Sequence, residues 1–174
     1  LERIEVLSET VKGSSGFDLL VGASPPMQQV FDLIKRVANL DSSILIVGES
    51  GTGKEKIAQL IHLLSERAKG SFIAVNCGAL PDTLLESELF GYKAGAFTGA
   101  SKDKPGRFAM ARGGTLFLDE IGNISHEMQI RLLRFIEDRT IRRIGGLKGK
   151  PVDCRIIAAT NADLGEAIKA GQFR

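Results

Sequence analysis

The sequence has 174 residues, 43% of them hydrophobic, enough for about one domain with a core of its own. A formal net charge of +2 is too small to argue for nucleic-acid binding on electrostatic grounds. No apolar run approaches the roughly 20 residues that a membrane-spanning helix needs, and no cleavable leader is expected.

Residues 1–15 read as a linker: charged, partly helical, and closing on Lys12-Gly13-Ser14-Ser15. Ser24-Pro25-Pro26 then predicts a helix start, with Met27, Val30, Ile34 and Val37 following at helical spacing. Ile44-Leu45-Ile46-Val47 predicts a strand, and a glycine-rich turn leads from it into a helix with Ile57, Leu60, Ile61 and Leu64 on one face. A second strand is expected over 72–76 and a helix over 81–90, and the glycine-rich stretch 91–105 has no clear period. Residues 115–119 predict a strand that ends in two acids. Ser125 or a neighbour then caps a helix whose Met128, Leu132, Leu133 and Ile136 are expected to face inward. A further strand over 155–159 ends at Thr160-Asn161, and Asp163 opens a short helix closed by Gly171. Strands alternate with helices, so the expected class is α/β: three layers around a mainly parallel sheet. Strand order is not readable from periodicity. Cys77 and Cys154 sit beside strands without metal-type spacing and read as buried thiols in a reducing cytoplasm.

Two segments carry phosphate chemistry. Gly48-Glu49-Ser50-Gly51-Thr52-Gly53-Lys54-Glu55 lies between strand and helix, where consecutive N–H groups and the helix dipole attract phosphate oxygens. Lys54 adds a point charge for the outer phosphates of ATP. Glu55 stands where the general pattern has a hydroxyl residue that touches Mg2+, so metal binding must lean on water and Asp119. Gly113-Gly114-Thr115-Leu116-Phe117-Leu118-Asp119-Glu120 supplies what that cradle lacks. Asp119 is the candidate partner for Mg2+, and Glu120 is the candidate base for the attacking water. In strand geometry the two acids would point in opposite directions.

Other candidates are more open. Thr160 and Asn161 could sense the γ-phosphate or form a simple turn. Asn76 also closes a strand and, taken alone, reads first as a turn asparagine satisfied by its own loop. Gly95-Ala96-Phe97-Thr98-Gly99-Ala100 places an aromatic and a hydroxyl among small residues, either as a turn packed on the core or as a finger presented to a partner. The cluster Arg131, Arg134, Arg139, Arg142, Arg143, Lys148 and Lys150 is partly an ordinary solvated helix face. The rest could line a pore or a subunit contact.

Taken together, GESGTGKE at 48–55, GAFTGA at 95–100 and GGTLFLDE at 113–120 resemble the sigma-54-dependent transcriptional activators. These are AAA+ P-loop ATPases also called bacterial enhancer-binding proteins. The likeness runs from about Phe17 onward, and the GAFTGA hexapeptide is its most specific part. The resemblance implies an AAA+ domain over 16–174 that works in a ring, usually a hexamer, and remodels RNA polymerase carrying sigma-54. It implies that Lys54 holds the β and γ phosphates, Asp119 serves Mg2+ and Glu120 activates water. By the same likeness Asn76 restrains the glutamate and Val21-Gly22 border the adenine. Phe97 and Thr98 would form the tip that touches sigma-54, with Arg143 on a second pore-facing loop. Arg174 would be the first arginine reaching a neighbour's γ-phosphate. The last core strand and the helical lid of the family are expected beyond 174, so the chain by itself is expected to turn over poorly. DNA would be reached only through a domain elsewhere. One departure is Gly106-Arg107-Phe108-Ala109, where many members carry glutamate at the last position. The alternative reading is a nucleotide-gated interaction module without productive turnover.

Overall fold

The computed structural model describes residues 24–174; the expected linker and Val21-Gly22 lie outside the described residues. Helix α1 (Pro25–Ala38) leads to strand β1 (Ile44–Val47), and helix α2 (Lys54–Leu63) leads to β2 (Phe72–Asn76). Helix α3 (Asp82–Phe90) is followed by a two-residue antiparallel ribbon, β3 (Gly91–Tyr92) and β4 (Lys104–Pro105). The short α4 (Arg107–Met110), strand β5 (Thr115–Asp119) and a 3-10 turn (Ile121–Asn123) precede α5 (His126–Asp138). A second ribbon, β6 (Thr140–Ile141) with β7 (Lys150–Pro151), then leads to β8 (Arg155–Thr160) and α6 (Leu164–Lys169).

The four longer strands form one parallel sheet in the order β1-β8-β5-β2. Because all run the same way, Val47, Asn76, Asp119 and Thr160 end at one rim, where open α/β sheets bind ligands. Register sharpens this: Val47 pairs with Thr160, and Asn76 with Asp119.

Side-chain alternation divides the core in two. Leu116 and Leu118 of β5 join Val75 and Ile156 against Leu85, Leu89, Phe108 and Phe135 from α3, α4 and α5. Phe117 faces the other way with Ile157 and Ala159, packed on Ile34, Leu60 and Ile61 from α1 and α2. The sheet is therefore covered on both faces, as a parallel sheet requires. Cys77 and Cys154 are both buried and free.

Helix α5 differs from expectation in its inward face. Met128 and Leu132 are buried, but Leu133 and Ile136 are each 43% exposed, and Gln129 and Phe135 take the inner positions. A buried glutamine is invisible to a pattern that counts only apolar residues. The helix does start at the expected cap, with Ser125 Oγ accepting from Met128 N at 3.4 Å. Ala109, the departure in the GRFA stretch, packs partly buried against the larger core cluster.

Candidate functional site

The loop after β1 is built by glycine conformation. Gly48 N–H donates to Thr160 O at 3.1 Å, the last link to the sheet, and the chain then turns through Gly51 (φ +79) and Gly53 (φ +82). Those left-handed values disfavour any side chain, so the turn depends on glycine there. Thr52 Oγ1 closes the loop by donating to Glu49 O at 2.8 Å. Gly53 caps α2, whose first N–H groups have no partner within the helix and suit an anion. Lys54 is 9% exposed, and its Nζ donates to Gly48 O at 2.8 Å and Glu49 O at 2.7 Å. Glu55 accepts from Gln59 Nε2 at 3.1 Å, one turn along the helix.

The acids end β5 two strands away. Asp119 closes the strand, and its Oδ1 accepts from Glu120 N at 2.9 Å. Glu120 is not in strand geometry: its φ of 56 is left-handed, at the entrance to the 3-10 turn. Strand alternation therefore does not separate the two side chains, and a strained turn aims the second acid instead. Non-glycine residues adopt such values rarely, and functional sites are where they collect.

Both motifs meet. One cavity of about 170 Å³ is lined by Ser50, Gly51, Gly53, Lys54 and Glu55 together with Asp119, Glu120 and Asn161. Of the pair closing β8, only Asn161 faces it. Thr160 is fully buried, and its Oγ1 accepts from Ala162 N at 3.0 Å, so of the two roles open to it the hydroxyl takes the turn. Asn76 does form a turn: Oδ1 accepts from Gly78 N at 2.8 Å and Ala79 N at 3.1 Å. Beside it, burial together with Asp119 and Glu120 pushes the Cys77 thiol up to about 12, which leaves it unreactive.

The finger rises from the β3/β4 ribbon that follows α3. Gly95 N donates to Ala100 O at 2.8 Å and Ala100 N to Phe97 O at 3.0 Å, closing a tight tip. Phe97 is 46% exposed and packs edge-on against Tyr92 with centroids 4.9 Å apart, so it neither enters the core nor stands free. The second loop is stitched to the finger's base through Lys93 N to Ile144 O (3.0 Å) and Ile144 N to Gly91 O (2.9 Å). Asp103 joins them, accepting from Ala94 N at 2.9 Å and lying 2.5 Å from Lys93 Nζ and 3.5 Å from Arg143 Nη1.

Arg174 lies away from the 170 Å³ cavity. Its N–H donates to Gln129 Oε1 at 3.0 Å, while Gln129 Nε2 donates to Gln172 O at 3.0 Å and Ile124 O at 3.2 Å. Neither Gln129 nor Asp103 carried a signal in sequence. Each works by bridging segments more than 35 residues apart or across a turn, which only the fold brings together.

The Sigma-54 interaction domain family matches residues 20–174. The Nif-specific regulatory protein of Azotobacter vinelandii is 53% identical over 99% of this chain and 33% of its own length. That of Rhodobacter capsulatus is 57% identical over 90% of this chain and 27% of its own length. The chain thus spans about a third of the curated relatives it matches. Among solved structures, NtrX from Brucella abortus in complex with ATP superposes with a TM-score of 0.82 at 38% identity, covering 100% of this chain and 39% of that one. Its complex with ADP gives 0.83 at 38% identity, covering 99% and 38%. The P-loop NTPase domain of a Sigma-54 transport activator from E. coli shares the fold at 18% identity and a TM-score of 0.54, covering 83% of this chain and 93% of that one. With the family match running over residues 20–174, the chain belongs to the sigma-54 interaction domains, the central AAA+ domains of sigma-54-dependent transcriptional activators.

Proposed function

We propose that this domain binds and hydrolyses ATP within a transcriptional regulator that remodels sigma-54 RNA polymerase for promoter opening. The observation that carries the reading is the shared cavity, which brings the phosphate loop, Asp119 and Glu120 together although they are 65 residues apart in sequence. Glycine N–H groups and the start of α2 bind the phosphates, and Lys54 reaches the outer ones from its place beneath the loop. Glu120 orients water for attack on the γ-phosphorus, and the bond from the γ-phosphorus to its bridging oxygen breaks to leave ADP and phosphate.

The donor set fits Mg2+. No cluster of three or more His, Cys, Asp or Glu exists among the described residues, and Mg2+ is ordinarily held by one or two carboxylates with water and substrate phosphates. Asp119 would hold it, and Glu55, turned toward Gln59, would not. An ion held there would supply positive charge to offset that of the ATP phosphates.

Arg174, outside its own cavity, is assigned to a neighbouring subunit's γ-phosphate in a ring, usually a hexamer, Asn76 to restraining Glu120, and Asn161 to sensing nucleotide state. The finger tip, Gly95 to Ala100 with Phe97 and Thr98 exposed, is assigned to sigma-54, with Arg143 at its base. Val21-Gly22 are assigned to the adenine. DNA is reached through another part of the regulator. No helix among the described residues is long and apolar enough to cross a membrane, and the setting we propose is the cytoplasm. The test is hydrolysis by full-length protein with Glu120→Gln. ATP binding should persist while turnover falls about 10²–10⁴-fold, and turnover at the parent rate would remove Glu120 from the mechanism.

A further inference from the structure

Gln129 spends its side chain on the backbone of two other segments. It is 6% exposed on the inner face of α5. Its Nε2 donates to Ile124 O at 3.2 Å and to Gln172 O at 3.0 Å, and its Oε1 accepts from Arg174 N at 3.0 Å. Both amide hydrogens are thus used, and the oxygen takes the third bond. Ile124 ends the turn that Glu120 opens, and Gln172 and Arg174 follow α6.

Helix α6 buries none of its residues, so its own packing does not hold the segment that follows it. Gln172 N and Phe173 N return to Ala167 O at 2.8 Å and 3.2 Å, which ties that segment only to α6. Phe173 is half-buried beside an apolar cavity of about 160 Å³ that Leu132 and Ile136 also line. Apolar burial has no preferred direction. The directed bonds from the body of the domain come from Gln129, and Arg174 itself is exposed. A long cationic arm therefore leaves the surface from an anchored point of backbone.

We propose that Gln129 is a positioning residue for hydrolysis in the adjoining subunit: its amide brackets the backbone at Gln172 and Arg174 to the start of α5 and so fixes where the arginine begins its reach. This rests on the reading of Arg174 as the residue that meets a neighbour's γ-phosphate. Without the bracket, residues 172–174 can lift into water and Arg174 loses its fixed origin. A misplacement of about 1 Å at a reacting centre costs about 10²-fold in rate, less than the 10³–10⁵ that an arginine finger itself is commonly worth.

The test uses full-length protein carrying Gln129→Met, Gln129→Asn, Arg174→Ala, or each Gln129 change together with Arg174→Ala. Methionine keeps the volume and removes all three bonds; asparagine keeps the amide one methylene short of its partners, for the case that the first variant does not fold. Affinity for a fluorescent ATP analogue and single-turnover hydrolysis at saturating ATP are measured for each. The Gln129 variants should bind nucleotide as the parent does and lose about 10–100-fold in turnover. In the Arg174→Ala background the same changes should cost nothing more, because no arginine is left to misplace. Three results overturn the proposal: parent-like turnover in the folded Gln129 variants, loss of nucleotide affinity along with turnover, or a further loss of the same size in the double variants. The last would mean that Gln129 acts through the turn at Glu120. Parent-like turnover in Arg174→Ala alone would instead overturn the underlying assignment of Arg174, so the two failures are told apart.

Discussion

His62 Nδ1 lies 2.9 Å from Thr115 Oγ1, a buried contact that joins the helix opening at Lys54 to the strand closing at Asp119. Thr115 is fully buried and His62 is 4% exposed, with its ring tilted on Phe72 at 5.5 Å. The two halves of the phosphate site are thus tied together behind the chemistry, further along the helix from Lys54 and at the other end of the strand from Asp119. Burial lowers the pKa of His62 below its ordinary 6.5, the charge of Arg155 acts the same way, and a backbone bond at Gly70 opposes both.

That shift predicts a pH dependence of stability. The folded pKa lies below the unfolded one, so between them the unfolded chain binds more protons. The contribution of neutral His62 is complete above 6.5 and is lost as the pH falls from there through the folded pKa. His62→Asn should cost about 1–3 kcal/mol at pH 8, and the gap to the parent should narrow toward pH 5. Urea midpoints at three pH values check this; a gap independent of pH would exclude His62 as the titrating group.

Lys54 supports the loop as well as any phosphate, through Gly48 O and Glu49 O. Lys54→Ala should weaken ATP binding by about 10–100-fold, the loss expected for a hydrogen bond to a charged group worth about 1.5–3 kcal/mol. Titration of full-length protein with a fluorescent ATP analogue measures it, with the circular dichroism spectrum as control for folding. Affinity equal to the parent's would place the lysine outside the site.

At the finger, Phe97 leans on Tyr92 while Thr98 is exposed at the tip. Thr98→Ala removes no hydrogen bond that holds the domain together, so hydrolysis should stay within about twofold of the parent, as for most surface changes. Sigma-54-dependent open-complex formation should be lost. Open complexes at the parent level would remove Thr98 from the contact.

The sheet, its two covered faces and the meeting of loop with acids were legible because each leaves a local trace. Period, glycine placement and terminal acids are all read within about ten residues. What escaped was set by long-range neighbours or by backbone sign. Glu120 follows five strand residues and nothing nearby announces a left-handed turn. Thr160 looks like a partner to Asn161 until β8 is paired with β1 and its hydroxyl is consumed by Ala162. Gln129 faces inward because Gln172 and Arg174 pass over it, and those lie more than 40 residues away. Strand order likewise depends on pairings such as Ile44 with Ile157, which no periodicity encodes.

Asp103 gives the last prediction. Its carboxylate is held below the usual range, first by Lys93 and then by the Ala94 N–H, with Arg143 adding a more distant positive charge. A single exposed ion pair contributes little, but here one carboxylate meets the finger's base on both oxygens and the second loop on one. Losing it frees the finger from Arg143 while the backbone bonds through Ile144 remain, so the domain should keep its stability and its hydrolysis. The finger should then sample more orientations, and binding to sigma-54 should pay that ordering entropy. Asp103→Asn keeps an acceptor for Ala94 N and loses the charge, so its defect should be smaller than that of Asp103→Ala. Because the folded pKa is depressed, the carboxylate stays charged throughout pH 6–8 and the parent's affinity should be flat there. High salt should weaken the parent and leave the alanine variant unchanged, since screening acts on the charges that variant lacks. Binding of full-length variants to sigma-54 at two salt concentrations decides it, and equal affinity in all three proteins would show that the clamp does not govern the finger.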